Sequence, residues 1–323
     1  MTAAEWYRRF ADTEAAGQSA LYETLARGVA DDPALLTLLD ELPRPKQQPN
    51  LLLACARLLG APLSDFAAWR VWLLQHWPEV SAEMRIRATQ TNEPRRCATL
   101  LPALALIDGP IALIEVGASA GLTLLPEHYS YAWGEHRLDP AAGPSTVLLE
   151  CEVTGDPPLP ARMPEIVWRA GLDLNPLDVT APDDRHWLET LIWPEQTARL
   201  ERVRAAIAIA ERERPRVVRG DAVDDLPALA AEAPTGVTLV IVTSAAIVYL
   251  MPEPRARLIE WLRASPARWV SNEGAGIVPR VQEALAGHPP RRPGGFALAL
   301  DERPLAYAGA HGQTLDWLSL PAA

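Results

Sequence analysis

The first third of the chain carries apolar residues at helical spacing, with no useful stretch that alternates with a period of two. Trp6, Tyr7 and Phe10 begin such a stripe. Small polar residues precede the later apolar runs, as helix N-caps do. The predicted caps are Ser19, Asp32, Asn50, and Ser64 or Asp65. We therefore predict an all-helical N-terminal domain over residues 1–107.

From residue 110 the pattern changes to short, β-branched apolar runs separated by helical segments. The first run, IALIEVG at 111–117, is typical of a buried parallel strand. The apolar spacing in segments 187–213 and 253–265 predicts two amphipathic helices. Further strands are predicted at 146–153, 165–173, 215–222, 237–244, 267–274 and 296–301. This alternation predicts an α/β domain over residues 108–323: a doubly wound, mainly parallel sheet that ends in a C-terminal antiparallel hairpin.

Charge and composition exclude several classes of partner. Thirty Lys and Arg residues against 41 Asp and Glu leave a net charge of −11, which disfavours nucleic acid and leaves a small-molecule or protein substrate. The three cysteines form no CxxC pair, and the histidines show no ligand spacing, so we predict no metal site. The N-terminus lacks the apolar run of a signal peptide. The most apolar stretch, 237–251, is shorter than the roughly 20 residues that span a membrane. We expect a cytoplasmic protein with no membrane anchor.

The turn after the first predicted strand is the main candidate for chemistry. It reads EVGASAG at 115–121, and every residue after Val116 is small. Small side chains let backbone amides approach a ligand, and a following helix would direct its N-terminal dipole there. Ligands of doubly wound sheets bind at the carboxyl ends of the strands. Tight packing between strand and helix, with no ligand at all, is the alternative interpretation of this turn.

Two chemistries compete for this turn. GASAG fits the nucleophile elbow GxSxG, with Ser119 as nucleophile and His311 as base. The same turn resembles E/D-x-G-x-G-x-G, the first motif of class I S-adenosylmethionine-dependent methyltransferases, with Ser119 in place of the middle glycine. A dinucleotide site is weaker, because GxGxxG is absent in this register. A hydrolase normally has several strands before its elbow, whereas about a hundred helical residues precede this one.

Two acidic residues follow later strands and favour the methyltransferase. Asp173 ends the second strand and resembles the carboxylate that binds the ribose diol, for which two carboxylate oxygens are suited. Asp221 ends the third strand and resembles the residue that accepts the adenine amino group. Each carboxylate has a local alternative, since Asp173 can cap the turn before Asn175 and Asp221 can cap a helix. Their joint placement favours the ligand interpretation.

Nearly the whole chain resembles an uncharacterised bacterial family, domain of unknown function 2332. The motifs that carry the resemblance are QTNEPRR (90–96), EVGASAGLTLL (115–125), RAGLDLNPLD (169–178), WPE (193–195), RGDA (219–222), YL (249–250) and HG (311–312). The sequence departs from the usual family pattern with Thr123, where Asn is common, and with Thr243, where His is common. Together with the methyltransferase resemblance, the family implies a Rossmann-like methyltransferase fold behind a helical cap.

This resemblance implies a methyltransferase with S-adenosylmethionine as cofactor, acting on a small molecule or a protein. The residues that it places at the cofactor are Glu115, Gly117, Ser119, Gly121, Asp173, Asp221 and Thr243. The candidate general bases are Glu273 and His311. The polar cluster Gln90, Asn92, Glu93 and Arg96 is expected to contact the substrate, with the helical unit covering the carboxyl edge of the sheet. A helix start, with Asn92 as cap and Pro94 at N1, is the alternative for that cluster.

Two other functions stay open at this point. The replaced middle glycine and Thr243 favour a non-catalytic module that keeps the fold as a binding or scaffold protein. The third possibility is a serine hydrolase that uses Ser119.

Overall fold

The computed structural model describes residues 1–292 and 295–319 and divides into two compact units. The first unit comprises residues 1–91 and 181–201, and the second begins at residue 92 and also contains the chain from residue 202 onward. These units differ from the segments 1–107 and 108–323 in two ways. Residues 92–107 belong to the second unit, and residues 181–201 belong to the first.

The first unit is helical throughout. Its helices are α1 (Ala3–Phe10), α2 (Ala20–Asp31), α3 (Pro33–Asp40), α4 (Pro49–Leu58), α5 (Phe66–Gln75), α6 (Trp77–Ile86) and α8 (Pro182–Thr190), with a π-helical turn at Ala11–Ala15 and a 3-10 turn at Arg44–Lys46. The predicted caps Ser19, Asp32 and Asp65 are confirmed, since each side chain accepts backbone N–H groups of the first turn. Asn50 is not a cap, because α4 begins one residue earlier at Pro49, whose fixed φ suits the first helical position.

The WPE motif has a structural role inside the first unit. The Trp193 ring lies 5.6 Å from the ring of Phe10 and 5.6 Å from that of Tyr22. Glu195 accepts hydrogen bonds from the Ser19 hydroxyl (2.7 Å) and the Leu21 amide (3.1 Å), at the start of α2. The motif therefore fastens α2 by aromatic packing and by a carboxylate at a helix N-terminus, where negative charge is stabilising.

The second unit is built on a nine-stranded sheet. Its strands are β1 (Ile111–Val116), β5 (Glu152–Thr154), β6 (Ile166–Asp173), β7 (Val217–Arg219), β8 (Thr238–Ser244), β9 (Arg268–Gly274), β10 (Phe296–Leu300), β11 (Arg303–Ala308) and β12 (Thr314–Trp317). They are ordered β5-β12-β11-β10-β9-β8-β1-β6-β7. The five strands from β7 to β9 are parallel, and β9 to β12 pair antiparallel in chain order. The chain therefore leaves central β1 toward β6 on one side and later returns to β8 on the other, which makes the β1–β8 boundary a topological switch point.

Helices and a small sheet complete the second unit. The helices are α7 (Arg96–Leu104), α10 (Leu226–Ala230), α11 (Pro252–Ala264) and α12 (Pro279–Ala284), while α9 (Thr197–Glu213) contains the boundary between the units. The small sheet holds β2 (Ser130–Trp133), β3 (His136–Leu138) and β4 (Leu148–Glu150), in the order β3-β2-β4. All six residues of β1 are buried, as expected for a strand covered on both faces.

Three predicted elements differ from the structure. The run 146–153 forms two strands in different sheets, β4 and β5. The predicted helix at 187–213 is interrupted between α8 and α9, where the WPE motif lies. The C-terminal hairpin is part of a longer antiparallel run, because β12 adds to β10 and β11.

Candidate functional site

The glycine turn at 117–121 uses its own backbone N–H groups within the protein. The acceptors are the Leu172 carbonyl for Gly117 (2.8 Å) and Ala118 (3.3 Å), Asp173 Oδ2 for Ser119 (2.8 Å), Asn92 Oδ1 for Ala120 (3.1 Å) and the Ala118 carbonyl for Gly121 (2.7 Å). The expected α-helix after the turn is wrong, because short 3-10 turns at Leu122–Leu124 and Pro126–His128 follow instead. The turn therefore lacks the free amides and the helix dipole of an anion-binding site.

The two glycines of this turn are explained by packing. Gly117 and Gly121 have φ values of +75° and +72°, which favour glycine. A Cβ at Gly117 would lie 2.8 Å from Cβ of Ala246, and one at Gly121 would lie 3.0 Å from side-chain atoms of Pro215 and Val217. Close approach of Ala246, Pro215 and Val217 to the turn thus accounts for both glycines without a ligand.

Asn92 organises the same turn and is not a helix cap. Its side chain donates from Nδ2 to the Ser119 hydroxyl and accepts the Ala120 amide at Oδ1. Helix α7 begins only at Arg96, with Arg95 in the N-cap position, so the capping interpretation of Asn92 is wrong. In a nucleophile elbow the amide after the serine forms part of the oxyanion hole. Asn92 occupies that amide here, which disfavours the hydrolase.

Asp173 and Asp221 lie at the carboxyl ends of neighbouring strands. Asp173 Oδ2 accepts the Ser119 amide (2.8 Å) and Oδ1 accepts the Asn175 amide (2.7 Å). Asp221 Oδ1 accepts the amides of Val223 (2.7 Å) and Asp224 (3.3 Å) within the turn after β7. It does not cap a helix, because α10 begins at Leu226 with Asp225 in the N-cap position.

Two buried glutamates lie near the ends of β1 and β9. The register of β1, β8 and β9 places the side chains of Glu115 and Glu273 on opposite faces of the sheet. Glu115 Oε1 accepts the Thr123 hydroxyl, and Glu273 Oε1 accepts the amides of Ala246 (3.0 Å) and Ile247 (3.2 Å). The second oxygen of each carboxylate is buried and has no hydrogen-bond partner in the described part of the chain. Burial raises the pKa of each carboxyl to about 7, although the charge of Arg96 acts to lower both.

Arg96 links three segments of the second unit. Its guanidinium donates from Nε to the Ala310 carbonyl (3.0 Å) and from Nη1 to the Ser244 carbonyl (3.0 Å). Only 6 % of the residue is exposed, and burial lowers the pKa of its guanidinium, while the charges of nearby glutamates oppose that shift. An arginine has five donors in a planar fork, which suits it to bind several acceptors at once.

Several other predicted site residues make hydrogen bonds or ion pairs within the fold. Glu93 is fully buried and pairs with Arg202 (3.0 and 3.3 Å), and the Thr243 hydroxyl accepts the Trp269 indole N–H (3.1 Å). The His311 carbonyl accepts a hydrogen bond from Arg95 Nε (3.0 Å), so the HG motif packs on the QTNEPRR motif. Gln90 belongs to the first unit, whereas Asn92, Glu93 and Arg96 belong to the second.

Sequence reasoning missed Asn272 and Ser244 as parts of this region. Asn272 is fully buried and donates from Nδ2 to the Ser244 hydroxyl (3.2 Å), and its Oδ1 has no hydrogen-bond partner in the residues described. The available signal was the polar run SNEG at the end of an otherwise apolar strand. Buried polar groups carry a cost unless they are satisfied, so such a run marks a strand end with a role.

The two raised carboxyl pKa values predict that the protein loses stability as the pH rises. Between the ordinary value of 4.5 and about 7, the folded chain binds more protons than the unfolded chain. The free energy of unfolding should therefore fall across this window, by roughly 3 kcal/mol for each carboxyl. Urea denaturation at a series of pH values measures the slope.

Isosteric variants show which carboxyl groups cause the change in the free energy of unfolding with pH. Glu115→Gln and Glu273→Gln should each flatten the profile, because the amide does not titrate. Glu232→Gln, which removes an exposed carboxylate paired with Arg216, should leave it unchanged. Profiles with equal slopes in all four proteins would contradict the assignment.

The fold and this region define a mixed α/β protein with a polar site at the carboxyl edge of a large, mostly parallel sheet. The chain belongs to the family described as "Uncharacterized protein conserved in bacteria (DUF2332)", whose family model matches residues 4–317. No curated protein and no solved structure matches the chain.

Two statements hold for the residues that the structure describes. No helix there is long and apolar enough to cross a membrane. Within the same residues, no three His, Cys, Asp or Glu side chains are grouped so that they could hold a metal ion.

Proposed function

We propose that this protein binds S-adenosylmethionine at the carboxyl edge of β1, β6 and β8 and transfers its methyl group to a small molecule or a protein. The observation that carries the proposal is the position of Asp173 at the carboxyl end of β6, where its side chain accepts the Ser119 amide of the glycine turn. Strand order around central β1 is that of a doubly wound sheet, in which nucleosides bind at this edge. A cytoplasmic location belongs to the same proposal.

The balance of donors and acceptors favours a nucleoside over a nucleotide. Phosphate needs N–H donors, and the glycine turn has already used its five. The carboxylates near this edge, among them Asp173 at the end of β6, suit ligands that present hydroxyl groups or positive charge. A ribose diol and a sulfonium meet both conditions. Residues 115–121, which resemble the first methyltransferase motif, lie at the same edge.

The chain's residues have distinct tasks in this proposal. When bound, S-adenosylmethionine supplies a methyl group made electrophilic by the attached sulfonium. Asp173 would accept the ribose hydroxyls, and Asp221 remains the candidate for the adenine amino group. Glu273 fixes the segment after β8 through Ala246 and Ile247, next to the glycine turn. Its carboxyl pKa of about 7 also allows it to accept a proton from an acceptor group near neutral pH. His311 stays the other candidate base.

Cofactor binding is the direct test. We expect S-adenosylmethionine and S-adenosylhomocysteine to bind in isothermal titration calorimetry, whereas NAD and ATP should not, because the five amides of the glycine turn are already bound within the protein and cannot hold their phosphates. Asp173→Asn should weaken both nucleosides by about ten- to a hundredfold, the range for losing a hydrogen bond to a charged group.

The matched control is Asp224→Asn, which changes an exposed carboxylate paired with Arg257. It should bind like the wild type. Thermal unfolding of both variants shows whether the fold survives, since Asp173 also accepts two backbone amides. Equal affinity of the wild type and Asp173→Asn would remove the assigned role of this carboxylate.

A non-catalytic binding protein is the second candidate, and one observation favours it. The glycine turn is closed by internal hydrogen bonds and is followed by 3-10 turns, so it lacks a helix N-terminus at the ligand. Transfer of a labelled methyl group to small-molecule or protein fractions separates an enzyme from a binder. Covalent labelling of Ser119 by a fluorophosphonate would instead support the hydrolase.

A further inference from the structure

We propose that a cavity beside the glycine turn binds a small molecule with one carboxylate on an apolar body, and that Arg214 is the residue that binds the carboxylate. The cavity has a volume of about 360 Å³, and all the residues that line it belong to the second unit. None of them is among the residues proposed to hold the nucleoside. The inference therefore goes beyond the proposed function and does not depend on it.

Most of the side chains that line the cavity are apolar. The buried ones are Ala120 of the glycine turn, Leu177, Val179 and Ala210. Val217, at the start of β7, is half-buried. Small-molecule sites are typically cavities of about 300–1,000 Å³ with mainly apolar linings. The size and the lining of this cavity therefore suit a compact apolar group.

Contacts between three segments of the chain hold the cavity open. The Leu177 amide donates a hydrogen bond to the Ser119 carbonyl (3.2 Å), which fixes the segment after β6 against the glycine turn. On the other side, Gly121 lies so close to Pro215 and Val217 that an added Cβ would be 3.0 Å from both side chains. Because backbone contacts fix these walls, the cavity is preformed, which lowers the entropy cost of binding.

Arg214 is the single basic side chain among the residues that line the cavity, all of which the structure describes. The residue is exposed, and its guanidinium makes no hydrogen bond or ion pair with the described part of the chain, although its charge acts on Asp178. A guanidinium presents a planar fork of donors that matches the two oxygens of a carboxylate. The cavity therefore combines an apolar lining with one available anion-binding group.

The backbone at Arg214 has a conformation that favours glycine. Helix α9 ends at Glu213, and the Arg214 amide donates to the Ala210 carbonyl (2.8 Å) with φ at +49°. Glycine is the usual residue at such a left-handed helix end. Arg214 also precedes Pro215, and a residue before proline favours extended backbone. An arginine here costs stability, and such costs are concentrated at binding sites.

Asp178 limits the charge of the ligand. Its Oδ1 accepts the hydroxyl (2.7 Å) and the amide (2.8 Å) of Thr180. These hydrogen bonds, with a smaller contribution from Arg214, lower the pKa of the Asp178 carboxyl, so it is ionised at neutral pH. A negative charge at the cavity repels a dianion such as phosphate more strongly than a monocarboxylate. The ligand is therefore expected to carry a single negative charge.

Titration of the full chain with 4-fluorobenzoate, followed by fluorine NMR, tests the site. We expect saturation at millimolar concentrations. 4-Fluorobenzamide has the same shape without the charge and should bind at least about tenfold more weakly, as should inorganic phosphate, because a hydrogen bond to a charged group contributes about a factor of ten or more. Failure of 4-fluorobenzoate to saturate below about 50 mM would overturn the proposal.

Variants of Arg214 separate binding from a purely structural role. A basic residue at a helix C-terminus also interacts favourably with the helix dipole, which is the alternative explanation for Arg214. Arg214→Gly should weaken 4-fluorobenzoate at least about tenfold, whereas its melting temperature should equal that of the wild type or rise, because glycine relieves the backbone strain. Arg214→Lys keeps the charge without the planar fork and should recover part of the affinity.

The matched control is Arg212→Gln. Arg212 lies one position before the end of α9, its side chain is 66 % exposed, and it does not line the cavity. This variant should bind 4-fluorobenzoate like the wild type. A loss of affinity in Arg212→Gln as large as that in Arg214→Gly would show a general effect of charge and contradict the assigned site.

The remaining outcomes also decide the question. Equal affinity of the wild type and Arg214→Gly for 4-fluorobenzoate would show that Arg214 only ends the helix, and equal affinity for the acid and the amide would exclude charge recognition. Neither measurement uses S-adenosylmethionine. Carboxylate binding can therefore be confirmed if the nucleoside does not bind, and it can fail while the proposed function stands.

Discussion

Replacement of Arg96 by methionine should lower the free energy of unfolding by about 3 to 5 kcal/mol, the cost of removing one partner from a buried charged group. The variant leaves the carbonyls of Ser244 and Ala310 without their donor. It also leaves two buried glutamates without the positive charge that they share, so their pKa values should rise further. Methionine retains much of the apolar stem, which limits the cavity that the change creates.

Two further variants make this result specific. Arg96→Lys keeps the charge but lacks the planar fork, so it should recover only part of the stability. Arg216→Met breaks an exposed ion pair with Glu232 and should cost less than about 1 kcal/mol. Urea denaturation followed by tryptophan fluorescence measures all three. A loss in Arg96→Met no larger than in Arg216→Met would contradict a central role for this guanidinium.

Gly312→Ala is the second change with a large expected effect. A Cβ at this position would lie 2.2 Å from the Arg95 carbonyl oxygen and 2.4 Å from its carbon, and φ is +74°. The clash is with backbone atoms at the start of α7, which cannot rotate away as a side chain can. We expect a loss of more than about 3 kcal/mol, because the strain of overpacking adds to the cost of the left-handed conformation.

Gly109→Ala is the matched control for that change. Gly109 has nearly the same φ, +76°, but no atom within 4 Å of an added Cβ. Its loss should be about 1 to 2 kcal/mol, the cost of the backbone conformation alone. The difference between the two variants, measured by urea denaturation, isolates the contact between the HG and QTNEPRR motifs. Equal losses would show that this contact contributes nothing.

Both predictions concern motifs whose roles were not evident from the chain. The HG motif supplied His311 as a candidate base, and the structure adds that Gly312 is needed for the close approach of Arg95. QTNEPRR was predicted to contact substrate or to start a helix. In the structure, Asn92 binds the glycine turn and Glu93 pairs with Arg202, 109 residues away. The spacing of residues within the motif could not indicate these partners, because they lie far away in the chain.

The sequence by itself determined where the central strands lie and where several helices begin. β1, β6 and β8 contain short apolar, β-branched runs, and Ser19, Asp32 and Asp65 cap helices, because strand burial and capping depend on neighbours in the chain. The glycines at 117 and 121 could also be recognised as turn residues from the sequence, because glycine is favoured where the backbone is left-handed, as it is at both positions.

Only the tertiary structure decided which donors and acceptors are already used. The amides of the glycine turn are bound by Leu172 and by the side chains of Asn92 and Asp173, and one arginine is shared by glutamates of β1 and β9. Hydrogen bonds and charges act through space, so partners that are far apart in the chain leave no periodic signal. The sequence pattern therefore indicates the edge of the sheet at which a site is expected. The hydrogen bonds and charges at that edge depend on the tertiary structure.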